Sequence, residues 1–364
     1  MKHLVIVTGG TGGHIYPALA LADAAKEKHP ELKITFIGND DRMEADLVPA
    51  AGYPFYAVHA SGLEGSLAHK IGALFQTLSA RSKAKQILKE LQPDLVMGFG
   101  GYVSAPVMMA AQQLGIPTLL HEQNSVVGKS NKLVMGKTDA IAICYDKARE
   151  VFPPEKTVMT GNPRATLAAH AELDEAYWND LHLDPGRRTI LIMMGSLGSA
   201  SVNELMKEAL KGIDEGLQFI YACGKDNDSD LDLFEGQENI HVVPYIDSLR
   251  IYPKVDGMIC RAGATTLCEV TALGIPAIIV PSPYVANNHQ YYNARMLTDK
   301  GAARLIEEKD LNAATLRREI RQLFGNPHAM KETAAAARAM GRPEAAYELL
   351  ALAEKTADRS RKHD

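Results

Sequence analysis

Residues 260–294 read CRAGATTLCEVTALGIPAIIVPSPYVANNHQYYNA, and their polar members stand where chemistry could be done. An apolar strand ends at Cys260, Arg261-Ala262-Gly263 makes a turn, and a helix is expected from Ala264-Thr265-Thr266. A glycine-containing turn feeding a helix start presents unpaired backbone N–H groups and the positive end of a dipole, which suits a phosphate. Glu269, a turn or so further along, is suited to accept both hydroxyls of a vicinal diol such as a ribose. After a second apolar strand, the cluster Asn287-Asn288-His289-Gln290 offers amides and an imidazole to a sugar. Diphosphate, ribose and sugar contacts in one stretch describe a nucleotide-sugar pocket.

Three further loops carry glycines at the ends of strand-like runs: Gly9-Gly10-Thr11-Gly12-Gly13-His14, Gly98-Phe99-Gly100-Gly101-Tyr102 and Gly195-Ser196-Leu197-Gly198-Ser199. Each can bring bare backbone close to a ligand. His14 opens a helix whose N-terminus disfavours imidazolium, so a neutral ring there could take a proton as general base. Another strand ends in His121-Glu122-Gln123-Asn124, more polar side chains than capping needs. Glu122 is read as an alternative base or as structural support, and His121 as an acceptor-side contact. A dinucleotide fingerprint fails, because a GxGxxG register from Gly10 meets Ile15 where the third glycine belongs.

These loops need scaffolds. Strand-like and helix-like segments alternate from end to end, the rhythm of doubly wound parallel sheets. The series pauses near Thr160-Gly161-Asn162-Pro163 and restarts at Thr189. The expectation is α/β, with two Rossmann-like domains facing across a cleft: residues 1–163, then 164–341, with a helix over about 342–364 packing back on the first. The 364 residues suit two cores. Four cysteines without metal-like spacing (Cys144, Cys223, Cys260, Cys268) read as reduced, cytoplasmic core residues. Residues 95–120 lack any charge, yet their glycines and prolines describe strand, turn, helix and strand rather than a membrane span. A formal charge of −5 argues against nucleic acid as a partner. It is uneven: residues 1–163 hold 16 Lys and Arg against 15 Asp and Glu, the remainder 23 against 29.

Residues 65–89 contain no acid but carry Lys70, Arg81, Lys83, Lys85 and Lys89, while Leu67, Ile71, Leu74, Phe75 and Leu78 recur at helical spacing. That pattern fits a core-facing stripe with a solvated basic side. It equally fits a face of Leu67, Lys70, Ile71, Leu74, Phe75, Arg81 and Lys85 resting on an anionic membrane surface.

The motifs GGTGGHIYPALA, GFGGYVSAP, HEQN, GNP, GSLGSASVN and RAGATTLCE…NNHQYYNA, in that order, resemble those of the MurG family of peptidoglycan glycosyltransferases. The resemblance implies a GT-B fold and transfer of N-acetylglucosamine from UDP-N-acetylglucosamine to lipid I, giving lipid II. It implies that Thr11, Gly12, Gly13 and Asn124 meet the donor sugar and the acceptor, with Gly100, Gly101, Tyr102 and His121 on the acceptor side. Ser196 would touch the donor phosphates and the backbone of Ile246 would read the uracil. Ala264, Thr265, Thr266, Leu267, Cys268 and Glu269 would hold diphosphate and ribose, and Gln290 the N-acetylglucosamine. Arg164, another donor contact, follows Pro163 directly where the family often inserts a residue. With no DxD pair near these motifs, no metal or other cofactor is expected. A peripheral place on the cytoplasmic face of the cell membrane follows, with room for contacts to other cell-wall or division proteins. The rivals are a UDP-N-acetylglucosamine 2-epimerase and a non-catalytic sugar-nucleotide sensor.

Overall fold

Apolar runs that lack alternation belong in strands covered on both faces, and the chain builds two sheets of that kind. The structure, a computed structural model, describes residues 1–62, 67–194, 200–213, 216–224, 234 and 236–360. It divides into two compact units, Met1–Thr166 with Glu344–Asp364, and Leu167–Pro343.

The first unit runs β1 (His3–Val7), α1 (Gly12–Lys28), β2 (Lys33–Asn39), α2 (Glu44–Ala50), β3 (Phe55–Val58) and α3 (Leu67–Leu91). It continues with β4 (Leu95–Gly98), α4 (Ser104–Gln113), β5 (Thr118–Glu122), α5 (Lys129–Val134), β6 (Ala140–Ile143) and β7 (Thr157–Met159). The helix α6 (Arg164–Ala169) carries the chain into the second unit. There α7 (Glu175–Asn179), β8 (Arg188–Met193), α8 (Ala200–Leu210), β9 (Leu217–Ala222), β10 (Ile240–Val243), β11 (Gly257–Cys260) and α9 (Ala264–Leu273) follow. Then come β12 (Ala277–Ile279), α10 (His289–Thr298), β13 (Arg304–Leu305), α11 (Ala313–Leu323) and α12 (Pro327–Met340). A last helix, α13 (Ala345–Ser360), rejoins the first unit.

Both sheets are parallel throughout, in the orders β3-β2-β1-β4-β5-β6-β7 and β10-β9-β8-β11-β12-β13. In each the order reverses beside the first strand, so the switch points lie between β1 and β4 and between β8 and β11. Ligands of such sheets bind at the carboxyl ends of those strands. The glycine loops after β1 and β4, and the Arg261-Ala262-Gly263 turn after β11, stand at these points. The glycine loop after β8, with Ser196, lies outside the described residues.

Leu4, Val5, Ile6 and Val7 of β1 are all fully buried, as an interior strand of a covered sheet requires. α13 supplies Leu349, Leu350, Ala353 and Ala357 to the cluster that holds Leu4, Ile6 and Leu21. Its start is fixed by the Ala346 N–H donating to Thr166 Oγ1 at 2.9 Å. The uncharged run 95–120 forms β4, α4 and the start of β5, and no helix among the described residues is long and apolar enough to cross a membrane. All four cysteines are free thiols.

α3 departs from the core-stripe expectation. Its buried face is Ala73, Ala80, Ala84 and Leu88, whereas Phe75 is 69% and Leu78 52% exposed. Small alanines let α3 lie close to α4, whose Val107, Met108, Ala110 and Ala111 share one cluster with Ala80, Ala84 and Leu88. Phe75 and Leu78 are thereby left on the opposite side. The side chains of Leu67, Lys70, Ile71 and Leu74 lie outside the described residues.

Candidate active site

In the first unit the loops after β1 and β4 pack directly on each other. A side chain on Gly101 (φ +84°) would strike the Gly9 carbonyl oxygen, so only glycine permits the approach. A Cβ on Gly100 would lie 2.8–2.9 Å from His14 Cδ2 and Nε2, so the ring edge rests on that backbone. His14 Nδ1 lies 3.2 Å from the Gly9 carbonyl and 3.4 Å from Thr11 Oγ1. A carbonyl can only accept, so the contact assigns the proton to Nδ1 and leaves Nε2 as the basic nitrogen. Thr11 is the N-cap of α1 without a side-chain capping bond, and Thr11 and Gly13 are exposed while Gly12 is partly covered. Tyr102 is half exposed, with its ring against Gly62.

His121, read as an acceptor-side contact, and Glu122, read as an alternative base or as structural support, are both buried. His121 is fully buried: its Nε2 donates to the Gly161 carbonyl at 2.9 Å and its Nδ1 accepts from Gln123 Nε2 at 3.1 Å. Burial pushes its pKa down to about 4, so the ring is neutral and engaged at both nitrogens. Glu122 is buried too, accepting from the Asn124 N–H at 3.0 Å, the Gly128 N–H at 2.9 Å and Asn131 Nδ2 at 3.0 Å. Burial raises its pKa while these donors hold the charged form. It organises the loop that carries half-buried Asn124 and is no candidate base. β5 is an interior strand covered on both faces, so polar side chains there must find partners inside. Arg164 sits on α6 with its guanidinium 5.8 Å from the Tyr16 ring centre, in the first unit.

The second unit arranges the 260–294 stretch around the backbone of one residue, Ala262. Gln290 Oε1 accepts from the Ala262 N–H at 3.2 Å and the Ser282 N–H at 2.9 Å, while Asn293 Nδ2 donates to the Ala262 carbonyl at 3.3 Å. Two residues of α10 thus clamp the turn that feeds α9, and the Gln290 amide is oriented with its NH2 as donor. Asn287 and Asn288 enter α10 at φ +54° and +50°, a region asparagine tolerates. Gly263 is the N-cap of α9, with no side-chain capping bond and no acid in the first turn, so backbone donors face outward. Thr265 Oγ1 is buried there without a hydrogen-bond partner. Thr266 and Cys268 are partly covered, and Ala264 and Leu267 buried.

Glu269 lies in the second turn of α9, nearly covered, with Oε2 accepting from the buried Tyr252 hydroxyl at 2.7 Å. The sequence gives no hint of Tyr252, which sits 17 positions upstream. Arg261 is held by Glu308 at 2.5 Å and by the Val280 carbonyl at 3.1 Å. The Ile246 side chain is buried, which fixes its backbone in the loop after β10. Among the described residues one group, exposed Asp40, Asp41 and His59 of the first unit, has metal-ligand proximity. There the 2.7 Å contact with Asp40 raises the His59 pKa.

Two doubly wound units, with glycine loops at the first switch point and a bare helix N-terminus at the second, form the GT-B frame, and both halves match a glycosyltransferase family. Residues 4–143 match the glycosyltransferase family 28 N-terminal domain and 189–349 its C-terminal domain. A Limosilactobacillus fermentum protein named UDP-N-acetylglucosamine–N-acetylmuramyl-(pentapeptide) pyrophosphoryl-undecaprenol N-acetylglucosamine transferase is 40% identical, over 97% of this chain and 98% of its own. The crystal structure of Acinetobacter baumannii MurG superposes with a TM-score of 0.79 at 31% identity, covering 98% of this chain and 100% of that one. The UDP-GlcNAc 2-epimerase of Neisseria meningitidis shares the fold alone, at TM-score 0.68 and 14% identity over 98% of this chain and 100% of its own. The chain belongs to glycosyltransferase family 28 and, within it, to the MurG family.

Proposed function

We infer that this chain transfers N-acetylglucosamine from UDP-N-acetylglucosamine to the C4 hydroxyl of the muramoyl sugar in undecaprenyl-diphospho-N-acetylmuramoyl-pentapeptide, with inversion. The observation that carries this is near-full-length identity of about 40% to transferases named for that reaction. His14 Nε2 takes the hydroxyl proton as the acceptor oxygen bonds the anomeric carbon, and UDP leaves with the other bonding pair. In the second unit the N–H groups at the start of α9 meet the diphosphate, Glu269 the ribose and the Gln290 NH2 the sugar. Backbone donors and the helix dipole carry the leaving-group charge, so no metal is needed.

Exposed Phe75 and Leu78, with Arg81, Lys83, Lys85 and Lys89 on the same helix, support docking of α3 on an anionic membrane surface. That makes the protein peripheral, on the face where nucleotide sugars are made.

Incubation with labelled UDP-N-acetylglucosamine, with and without a short-chain lipid I analogue, tests the reading. Label should enter a disaccharide only when the acceptor is present, and excess chelator should leave the rate unchanged. An acceptor-independent epimerised nucleotide sugar, or binding without turnover, would overturn it. Activity lost to chelator and restored by magnesium would overturn the metal-free part alone.

A further inference from the structure

Glu44 is a fully buried carboxylate that neither the motifs nor the reaction scheme uses. It lies at the start of α2 and reaches back between the ends of β1 and β2. Two glycines make room for it: a Cβ on Gly9 would strike Glu44 Oε1, and one on Gly38 would lie 2.6 Å from Glu44 Cγ. Its Oε1 accepts from the Asn39 N–H at 2.9 Å and its Oε2 from the Gly10 N–H at 3.0 Å.

The Gly10 nitrogen and the Gly9 carbonyl are the two ends of one peptide bond. On its far side that carbonyl meets His14 Nδ1 at 3.2 Å. The chain of contacts is therefore carboxylate, peptide N–H, peptide C=O, imidazole Nδ1–H. Hydrogen bonds in series polarise one another, so a negative charge on the amide side makes the carbonyl a better acceptor. A carboxylate bonded directly to Nδ1–H is a familiar way to fix a histidine tautomer and steady an imidazolium.

We propose that Glu44 is a positioning residue for the transfer reaction, acting on His14 through the Gly9–Gly10 peptide. This rests on His14 being the base. When the acceptor's proton arrives on Nε2, the ring becomes imidazolium while Nδ1–H stays on the Gly9 carbonyl. Glu44 then offsets the new positive charge across the peptide. The same three-part contact holds Nε2 as the basic nitrogen before the reaction, which a loop held by packing alone would not do.

Glu44→Gln preserves size but turns one acceptor into a donor that faces a backbone N–H. Turnover should fall about ten- to hundredfold, as when a metal-bound histidine loses its outer partner, with UDP affinity unchanged by calorimetry. Nitrogen-15 NMR of the imidazole should find neutral His14 protonated on Nδ1 in the wild type and shifted toward Nε2–H in the variant. In a His14→Ala background Glu44→Gln should add no further loss. Unchanged turnover and tautomer, or an equal loss in the His14→Ala background, would overturn the proposal, the latter marking Glu44 as plain loop support. If His14→Ala itself keeps its turnover, the base assignment fails, while the tautomer in Glu44→Gln still decides the relay. Should Glu44→Gln not fold, Glu44→Asp, which keeps the charge but falls a methylene short, gives the same tautomer readout.

Discussion

Glu269 and His121 are both buried ionisable residues near a switch point, and their partners separate their roles. Glu269 accepts from the Tyr252 hydroxyl at one oxygen, in the second turn of a helix whose first turn lacks a side-chain cap. A charge-assisted hydrogen bond lost from a ribose is worth about 1.5–3 kcal/mol. Glu269→Ala should therefore weaken UDP about tenfold or more by calorimetry, and unchanged affinity would remove it from the donor site. His121 instead spends both nitrogens inside the fold. Below its ordinary value of 6.5 the unfolded chain takes up a proton that the buried ring refuses until about pH 4. The stability it contributes is thus complete above pH 6.5 and drains away as pH falls toward 4, by about 3 kcal/mol in all. Urea unfolding of wild type and His121→Gln between pH 7 and 5 should show a steeper decline in the wild type, and parallel profiles would contradict this. In the sequence HEQN announces only polarity at a strand end. That strand's burial on both faces, which decides between contact and support, depends on neighbours 20 or more positions away.

At the scale of elements, most of the alternation was legible because covered parallel strands are unbroken apolar runs. β7, three residues long, and the short helices α2 and α5 carry too little pattern to be read. Missing α2 hid Glu44, since nothing local in DRMEADLVP says that Gly9 and Gly38 leave space for its side chain. The polar cluster at the start of α10 was legible as polar, but not the division of labour by which Gln290 and Asn293 clamp Ala262. For α3 the apolar spacing was legible and its direction was not, because the alanine face wins the contact with α4. If Phe75 and Leu78 meet lipid, Phe75→Ser with Arg81→Glu and Lys85→Glu should release the protein from anionic vesicles while sparing turnover of a soluble acceptor. Salt should imitate the charge changes, since headgroup attraction is screened within about 8–10 Å at near-physiological ionic strength. Equal co-sedimentation of wild type and variant would refute that surface.

Across the chain, the two sheets share one order over six strands, the first sheet adding β7 at its edge, and each has candidate residues at its own reversal point. The first unit is discontinuous in sequence, closed by α13 after the second unit is complete. Leu350 is fully buried in the cluster with Leu4, Ile6 and Leu21, so Leu350→Ala should cost the first unit about 2–5 kcal/mol despite lying at the far end of the chain. Hydrogen exchange should show the loss in β1 and β4 rather than in β8 and β11, and the reverse would contradict the division into units.

Transfer to one hydroxyl with inversion is tested by comparing a short-chain lipid I analogue with its 4-deoxy counterpart. With the hydroxyl present, N-acetylglucosamine should appear β-linked to C4 by NMR of the product, with one UDP released per disaccharide. The 4-deoxy analogue should give no disaccharide. An α-linked product, or sugar transferred to the 4-deoxy compound, would contradict the account.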